Sequence, residues 1–136
     1  MKKFRQRLGR EGGFTLIELL IVLVILGILL AIAVPAYLGF KDRAANRAAE
    51  ADIRAAIPSA EAYFESNNTY AGMTPTLLKN IDAGLSGHVA VSPDPIVSTN
   101  AYCLTATVGG KAWAVHGPGA TAWYKNNACS GPIVSP

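Results

Sequence analysis

Histidine and cysteine are scarce in this chain, and acidic side chains stop well before its end. The 136 residues contain two histidines and two cysteines, and no carboxylate side chain follows Asp94. His88 and His116 have no partners at metal-ligand spacing, and no Ser, His and Asp are spaced as a catalytic triad. Gly109-Gly110-Lys111 lacks the rest of a phosphate-binding loop. We therefore expect a protein that is not an enzyme and has no cofactor or metal.

Charge is also absent from a long stretch near the N-terminus. No charged residue lies between Glu18 and Lys41, and no strongly polar one lies between Leu19 and Val34. A membrane-spanning helix needs about 20 predominantly apolar residues, and residues 14–40 supply them. A carboxylate in such a segment costs roughly 2.5–3.5 kcal/mol, so we expect Glu18 to have a function.

Positive charge is concentrated before this stretch. Residues 1–13 hold five of the 12 basic residues and one of the nine acidic residues. Without them, seven basic and eight acidic side chains would remain, a net charge of −1. The basic character therefore belongs to a leader that the charge bias of loops would keep in the cytoplasm, and it does not indicate a nucleic-acid surface. Lys41, Arg43 and Arg47 lie beyond the apolar stretch and weaken this bias.

The segment Gly12-Gly13-Phe14-Thr15-Leu16-Ile17-Glu18, with the basic leader before it and the apolar stretch after it, resembles the type IV prepilin signature. Type IV pilins, type II secretion pseudopilins and DNA-uptake pseudopilins share this signature. The resemblance covers about the first 40 residues. It implies cleavage after Gly13 by a prepilin peptidase and N-methylation of the new amino terminus, Phe14. It also implies that Glu18 meets the N-terminal amine of a neighbouring subunit during assembly.

Within this family, a type IV pilus subunit is the preferred interpretation. The precursor would sit in the cytoplasmic membrane and polymerise through residues 14–40 into a helical homopolymer on the cell surface. The implied partners are the membrane, further copies of the chain, the prepilin peptidase, and an assembly platform with its motor. Adhesion, twitching motility and DNA uptake stay open as roles, with nucleic acid only as cargo of the pilus.

Three alternatives compete with this interpretation. A pseudopilin of a secretion or DNA-uptake system has the same N-terminal signature, but major secretion pseudopilins usually carry acidic calcium ligands near the C-terminus, which this chain lacks after Asp94. A membrane-anchored binding domain that never assembles would need Glu18 only near the headgroups. An ordinary secretory signal is the third, because Ala31-Ile32-Ala33 fits its cleavage site, although its apolar core is normally about 7–15 residues long.

Residues 41–66 predict an amphipathic continuation of the helix. Ile53, Ile57, Ala60 and Phe64 form an apolar stripe at spacings typical of one helix face. A second stripe is polar and is expected to be a solvated face, or a contact with neighbours in a filament: Arg43, Arg47, Glu50, Arg54, Glu61 and Glu65. Pro35 and Pro58 predict helix kinks, because proline removes a backbone donor and clashes with the preceding turn.

Residues 67–136 predict a globular region with a short helix over 76–80, capped by Thr74 or Thr76, and an antiparallel sheet. Strands are expected at 89–91, 102–108, 111–116 and 121–124, with Gly109-Gly110 as a hairpin turn. The fold class is therefore α+β, with the helix packed on a small pilin-like sheet. Cys103 and Cys129 form an even pair in an exported domain and predict a disulfide, comparable to the C-terminal disulfide region of pilins.

Overall fold

The computed structural model of the chain describes residues 12–94 and 96–135. Its contacts divide it into two units, with the boundary between Gly39 and Phe40. The leader predicted for residues 1–13 lies outside the described residues except for Gly12 and Gly13. The α+β class is confirmed, because a long helix is followed by a small antiparallel sheet.

Helix α1 comprises Leu16–Asn67, a single run of 52 residues. Helical backbone continues through Pro35 and Pro58, so the kink at each proline stays a prediction. The helix ends one residue beyond the predicted range of 41–66, because Asn68 takes a left-handed conformation with φ of 56° and its amide donates to the carbonyl of Phe64. Asn is one of the few residues that adopt this conformation readily.

Helix α2 comprises Pro75–Ile81 and is capped by Thr74, whose side chain accepts from the Leu77 amide. This cap is one of the two that the sequence predicts. Pro75 suits the first turn because its missing N–H would have no partner there. The short helix begins and ends one residue outside its predicted range.

The sheet contains strands β1 Val89–Val91, β2 Tyr102–Val108, β3 Lys111–Gly117 and β4 Ala122–Tyr124. Their order in the sheet is the order in the chain, and every pair is antiparallel. Gly109 and Gly110 both have positive φ, as a two-residue turn between β2 and β3 requires. Trp123 also forms a bridge to Val134, so the C-terminal segment adds to the edge of the sheet.

The core of the second unit lies between α1 and the sheet. The helix contributes mainly alanine, which permits a close approach: its fully buried apolar residues are Ala49, Ile53, Ala56 and Ala60. These belong to one cluster with side chains from the strands and loops, including Leu104, Val115 and Trp113. The predicted apolar stripe is confirmed at Ile53 and Ala60, whereas Ile57 and Phe64 are only partly buried.

Candidate functional site

The start of α1 is held by a reciprocal pair of hydrogen bonds between Thr15 and Glu18. The Thr15 amide and hydroxyl donate to Glu18 Oε2 at 2.9 and 2.8 Å. The Glu18 amide donates back to Thr15 Oγ1 at 3.2 Å. This is a capping box, in which a Thr and a Glu three residues later satisfy amides that a helix terminus leaves unpaired. Glu18 therefore has a local structural role within its own chain.

The capping box leaves part of the Glu18 carboxylate available. Both bonds from Thr15 reach Oε2, and no hydrogen bond from a described residue reaches Oε1. The neighbouring Phe14 is 86% exposed. One chain can thus use Glu18 to begin its helix and still present a carboxylate oxygen to a cation from outside.

The bond between Gly13 and Phe14 lies before the helix, in the non-helical segment that ends at Thr15. Gly12, Gly13 and Phe14 are exposed, and apart from adjacent residues no atom of a described residue lies within 4 Å of where a side chain at either glycine would begin. This peptide bond is therefore sterically accessible. Its role as the processing site stays a prediction.

The large side chains in the apolar part of α1 are not buried by any other part of the chain that the structure describes. Large apolar residues from Phe14 to Phe40 are 49–86% exposed, and this helix is long and apolar enough to cross a membrane. An exposed apolar surface of this size marks a region that binds protein or lipid. Gly27 lies in this part of the helix, and outside the helix's own backbone no atom of a described residue lies within 4 Å of its side-chain position, so a neighbouring helix can approach closely there.

Cys103 and Cys129 are joined by a disulfide, with 5.8 Å between their Cα atoms and 26 residues of separation. Cys103 lies in β2, and Cys129 lies in the segment between β4 and the bridge at Val134. The bond therefore ties the C-terminal segment to an inner strand of the sheet.

Glu61 links α1 to two tyrosines from other parts of the chain. The hydroxyl of Tyr70 donates to its Oε2 at 2.7 Å, and the hydroxyl of Tyr102 donates to its Oε1 at 2.8 Å. Both tyrosines are only 2% exposed. Burial first, and then the hydrogen bond to Glu61, raises the pKa of each tyrosine well above its ordinary value. A side chain at Gly117 would collide with the ring of Tyr102, so the contact also requires that glycine.

Glu50 is a second carboxylate at the interface between helix and sheet. It accepts from Arg47 Nη1 at 2.9 Å and from Arg54 Nη2 at 2.9 Å. Burial raises the pKa of Glu50, but the hydrogen bonds from Arg54 and Arg47 outweigh it and hold the pKa below its ordinary value. Arg54 also lies over the ring of Trp123, 4.8 Å from its centroid, where a cation is attracted by the π face.

The prediction that the polar stripe is a solvated face is therefore wrong for Glu50, which is buried, and for Glu61, which is partly buried. The sequence contained an indication of this. Glu61 lies four residues after Ile57 and three before Phe64, and Glu50 lies three residues before Ile53. Both acids therefore fall on the apolar face as well as on the polar one. What sequence reasoning missed is their tyrosine and arginine partners.

His88 is the one histidine with a carboxylate partner among the described residues. Its Nδ1 lies 2.9 Å from Ser86 Oγ and 3.1 Å from Asp52 Oδ2. Both contacts use the same nitrogen, whereas a triad histidine bonds the acid and the nucleophile through different ones. Within the described part of the chain, no three His, Cys, Asp or Glu residues are grouped as metal ligands.

Comparison with known proteins gives one match to the N-terminal segment and others that extend into the globular region. Residues 8–34 match the family described as the prokaryotic N-terminal methylation motif. The type IV wide pilus major component PilA4 of Thermus thermophilus is 36% identical over 85% of this chain and 88% of its own length. The type IV narrow pilus major component PilA5 of the same organism is 41% identical over 75% of this chain and 91% of its own length.

A type II secretion protein matches over a shorter range. The type II secretion system core protein G of Aeromonas hydrophila is 38% identical over 63% of this chain. The chain spans 57% of the length of that protein. No solved structure matches the chain significantly.

Proposed function

The chain belongs to the family of type IV pilins and type II secretion pseudopilins, and we propose that it is a structural subunit of a type IV pilus. The observation that carries this proposal is the extent of the similarity. The alignments with two major pilus components cover 88% and 91% of those proteins, whereas the alignment with protein G covers 57%. The similarity to pilins therefore extends well beyond the shared N-terminal motif.

We propose that the chain is divided by role into four segments. Residues 1–13 are a leader that a prepilin peptidase removes after Gly13, and Phe14 then becomes the methylated amino terminus. Residues 14–40 hold the precursor in the cytoplasmic membrane and later form the filament core. Residues 41–66 and 67–136 form the folded unit that the filament displays outside the cell. Accessibility of the bond between Gly13 and Phe14 supports this division.

Glu18 is proposed to set the register between subunits. Its Oε1 accepts no bond from a described residue, so the amine of a neighbouring Phe14 can donate to it while Thr15 keeps Oε2. A buried charge is tolerated when it is paired and is strongly destabilising when its partner is missing. Apolar contacts alone give little preference for filament over membrane, because lipid tails are as apolar as the helix. Charge pairing therefore selects the register, and an external motor supplies the work.

The experiment that tests this proposal is intact-mass and N-terminal sequence measurement on the chain in sheared surface fibres. We expect a chain that begins at methylated Phe14, is abundant in fibres, and is about two hydrogens lighter than its reduced form because of the disulfide. A chain that begins at Met1, or at Val34 after cleavage behind Ala31-Ile32-Ala33, would contradict the proposal.

A pseudopilin is the second candidate, and the 38% identity to secretion protein G favours it. A processed chain that stays in the cell envelope and is absent from surface fibres would select this candidate. An anchored domain that never assembles predicts instead that its membrane level and surface display are insensitive to Glu18→Ala.

A further inference from the structure

The second unit contains a basic groove where residues 43–50 of α1 meet β3 and the segment that follows β4. The groove has a volume of about 300 Å³. Its lining consists of Arg43, Asn46, Arg47, Glu50, Trp113, Lys125 and Ser135. All of these residues belong to the second unit.

The groove carries more positive charge than its own carboxylate neutralises. Glu50 already accepts from Arg47 and Arg54, and no ion pair to a described residue engages Arg43 or Lys125. Arg47 uses one nitrogen for Glu50 and keeps further N–H donors, since a guanidinium has five. The three basic side chains can therefore donate to an anion in the groove.

Lys125 and the aromatic wall are held in place by contacts within the fold. Lys125 Nζ lies 5.3 Å from the centroid of the Trp113 ring. The indole N–H of Trp113 donates to Asn46 Oδ1 at 3.1 Å. Because Trp113 is only 4% exposed, it offers no free face on which a base can stack. This argues against single-stranded nucleic acid, which usually binds by stacking on exposed aromatics.

The position of the groove in the chain indicates which anion it meets. Arg43 comes three residues after Phe40, the last residue of the apolar stretch. These residues are helical, and at a rise of about 1.5 Å per residue Arg43 lies about 4.5 Å and Arg47 about 10.5 Å along the helix from Phe40. If Phe40 marks the membrane boundary, Arg43 stays close to the lipid headgroups, which extend roughly 5–8 Å beyond the hydrocarbon core. Basic side chains at this level attract anionic lipids.

We propose that the basic groove binds the phosphodiester headgroup of an anionic phospholipid while the subunit is still in the membrane. Arg43, Arg47 and Lys125 donate to the phosphate oxygens. This inference rests on the proposed membrane-held subunit. It gives a reason for Arg43 and Arg47 to lie just beyond the apolar stretch. The charge bias that keeps the leader in the cytoplasm would be stronger without them.

Native mass spectrometry of the unassembled full chain in detergent tests the proposal. The protein is mixed with equal amounts of phosphatidylglycerol and phosphatidylcholine, and the retained lipids are counted. We expect the wild-type chain to retain phosphatidylglycerol preferentially. Lys125→Gln should reduce the preference about fivefold, and the double variant Arg43→Gln, Lys125→Gln should reduce it further by a similar factor.

Lys79→Gln is the matched control, because Lys79 is an exposed lysine in α2 outside the groove. Equal loss of preference in Lys79→Gln and Lys125→Gln would overturn the proposal, since net charge alone would explain the result. A wild-type chain without preference for phosphatidylglycerol would also overturn it. A Lys125→Gln variant that keeps the lipid preference but forms fewer fibres would also overturn the proposal. It would show that the groove contacts a neighbouring subunit and not a lipid.

The lipid measurement uses the unassembled chain and is therefore independent of filament formation. Lipid preference without surface fibres would contradict the proposed pilus function and leave the lipid site standing. Normal fibres from a chain without lipid preference would contradict only the lipid site.

Discussion

The two units of the chain differ in whether their apolar side chains are buried: those of the first unit are exposed, and most of those of the second lie in a core. From Phe14 to Phe40, large apolar residues are about half exposed or more in a single chain. In the second unit, a continuous core that begins at Ala49 is buried, and no buried side-chain nitrogen or oxygen of a described residue lacks a hydrogen-bond partner. The second unit therefore satisfies its own groups, whereas the first needs lipid or neighbouring helices. Mutations in the first should change assembly, and mutations in the second should change folding.

The largest effect is expected at Glu18. Glu18→Gln keeps the capping box, because Gln also fills this position, but it removes the charge. Surface fibres should fall by roughly tenfold or more, because a neighbouring amine would lose its counter-charge in the filament core. Fibre yield in a shearing assay measures this effect, and the unfolding of the second unit should not change.

Thr15→Ala is the control that separates helix capping from charge pairing. It breaks the capping box and keeps the carboxylate, so most fibres should remain. Fibre loss in Thr15→Ala together with normal fibres in Glu18→Gln would show that the Thr15–Glu18 bonds matter and that the proposed charge pair is wrong.

Removal of the disulfide should have the largest effect on the stability of the second unit. Replacing Cys103 and Cys129 by Ser opens a loop of 26 residues and should lower the free energy of unfolding by roughly 3–4 kcal/mol. Trp113 and Trp123 are the two tryptophans of the chain, so denaturant titration followed by their fluorescence reports on this unit alone. The reduced wild-type chain should unfold like the double variant, and an unchanged midpoint in both would contradict the prediction.

Glu61→Ala should destabilise the same unit by about 2–4 kcal/mol, because it leaves the buried hydroxyls of Tyr70 and Tyr102 without their acceptor. The same denaturant titration measures the loss. Glu65→Ala is the matched control, since Glu65 is exposed one turn further along α1, and it should cost less than about 0.5 kcal/mol. Equal losses in the two variants would show that the tyrosine contacts do not stabilise the fold.

A smaller effect is expected at high pH. The pKa of Tyr70 and Tyr102 is raised in the folded chain, whereas unfolded tyrosine ionises near 10.0. Above that pH the folded state holds more protons than the unfolded state, so the free energy of unfolding falls as pH rises. The slope is at most about 1.4 kcal/mol per pH unit for each tyrosine, and the contribution is constant below about pH 9.

The double variant Tyr70→Phe, Tyr102→Phe supplies the comparison for this pH dependence. Above pH 10, its free energy of unfolding should fall less steeply with pH than that of the wild type. Below about pH 9, the two pH dependences should be the same. An identical slope in variant and wild type would show that other groups cause the alkaline loss of stability.

Local patterns were sufficient to predict most of the fold. The two strands expected at 102–108 and 111–116 and the Gly109-Gly110 pair between them predict the hairpin, because glycine accepts the positive φ that a two-residue turn requires. The uninterrupted apolar stretch predicts the first part of α1, and two cysteines permit only one pairing within a chain. Contacts between distant residues were not predictable, such as Glu61 with Tyr102 and Trp113 with Asn46.

The sequence alone determined the N-terminal methylation motif, the apolar segment, the order of the elements and the place of Glu18 near the helix start. Each of these depends on residues that are neighbours along the chain, where spacing and propensity decide the outcome. Only the tertiary structure decided that Glu50 is buried and Glu61 partly buried. It also decided that Lys125 lines the same groove as Arg43 and Arg47. Those outcomes depend on which turn of α1 meets which strand, and packing between elements that are far apart in sequence sets that choice.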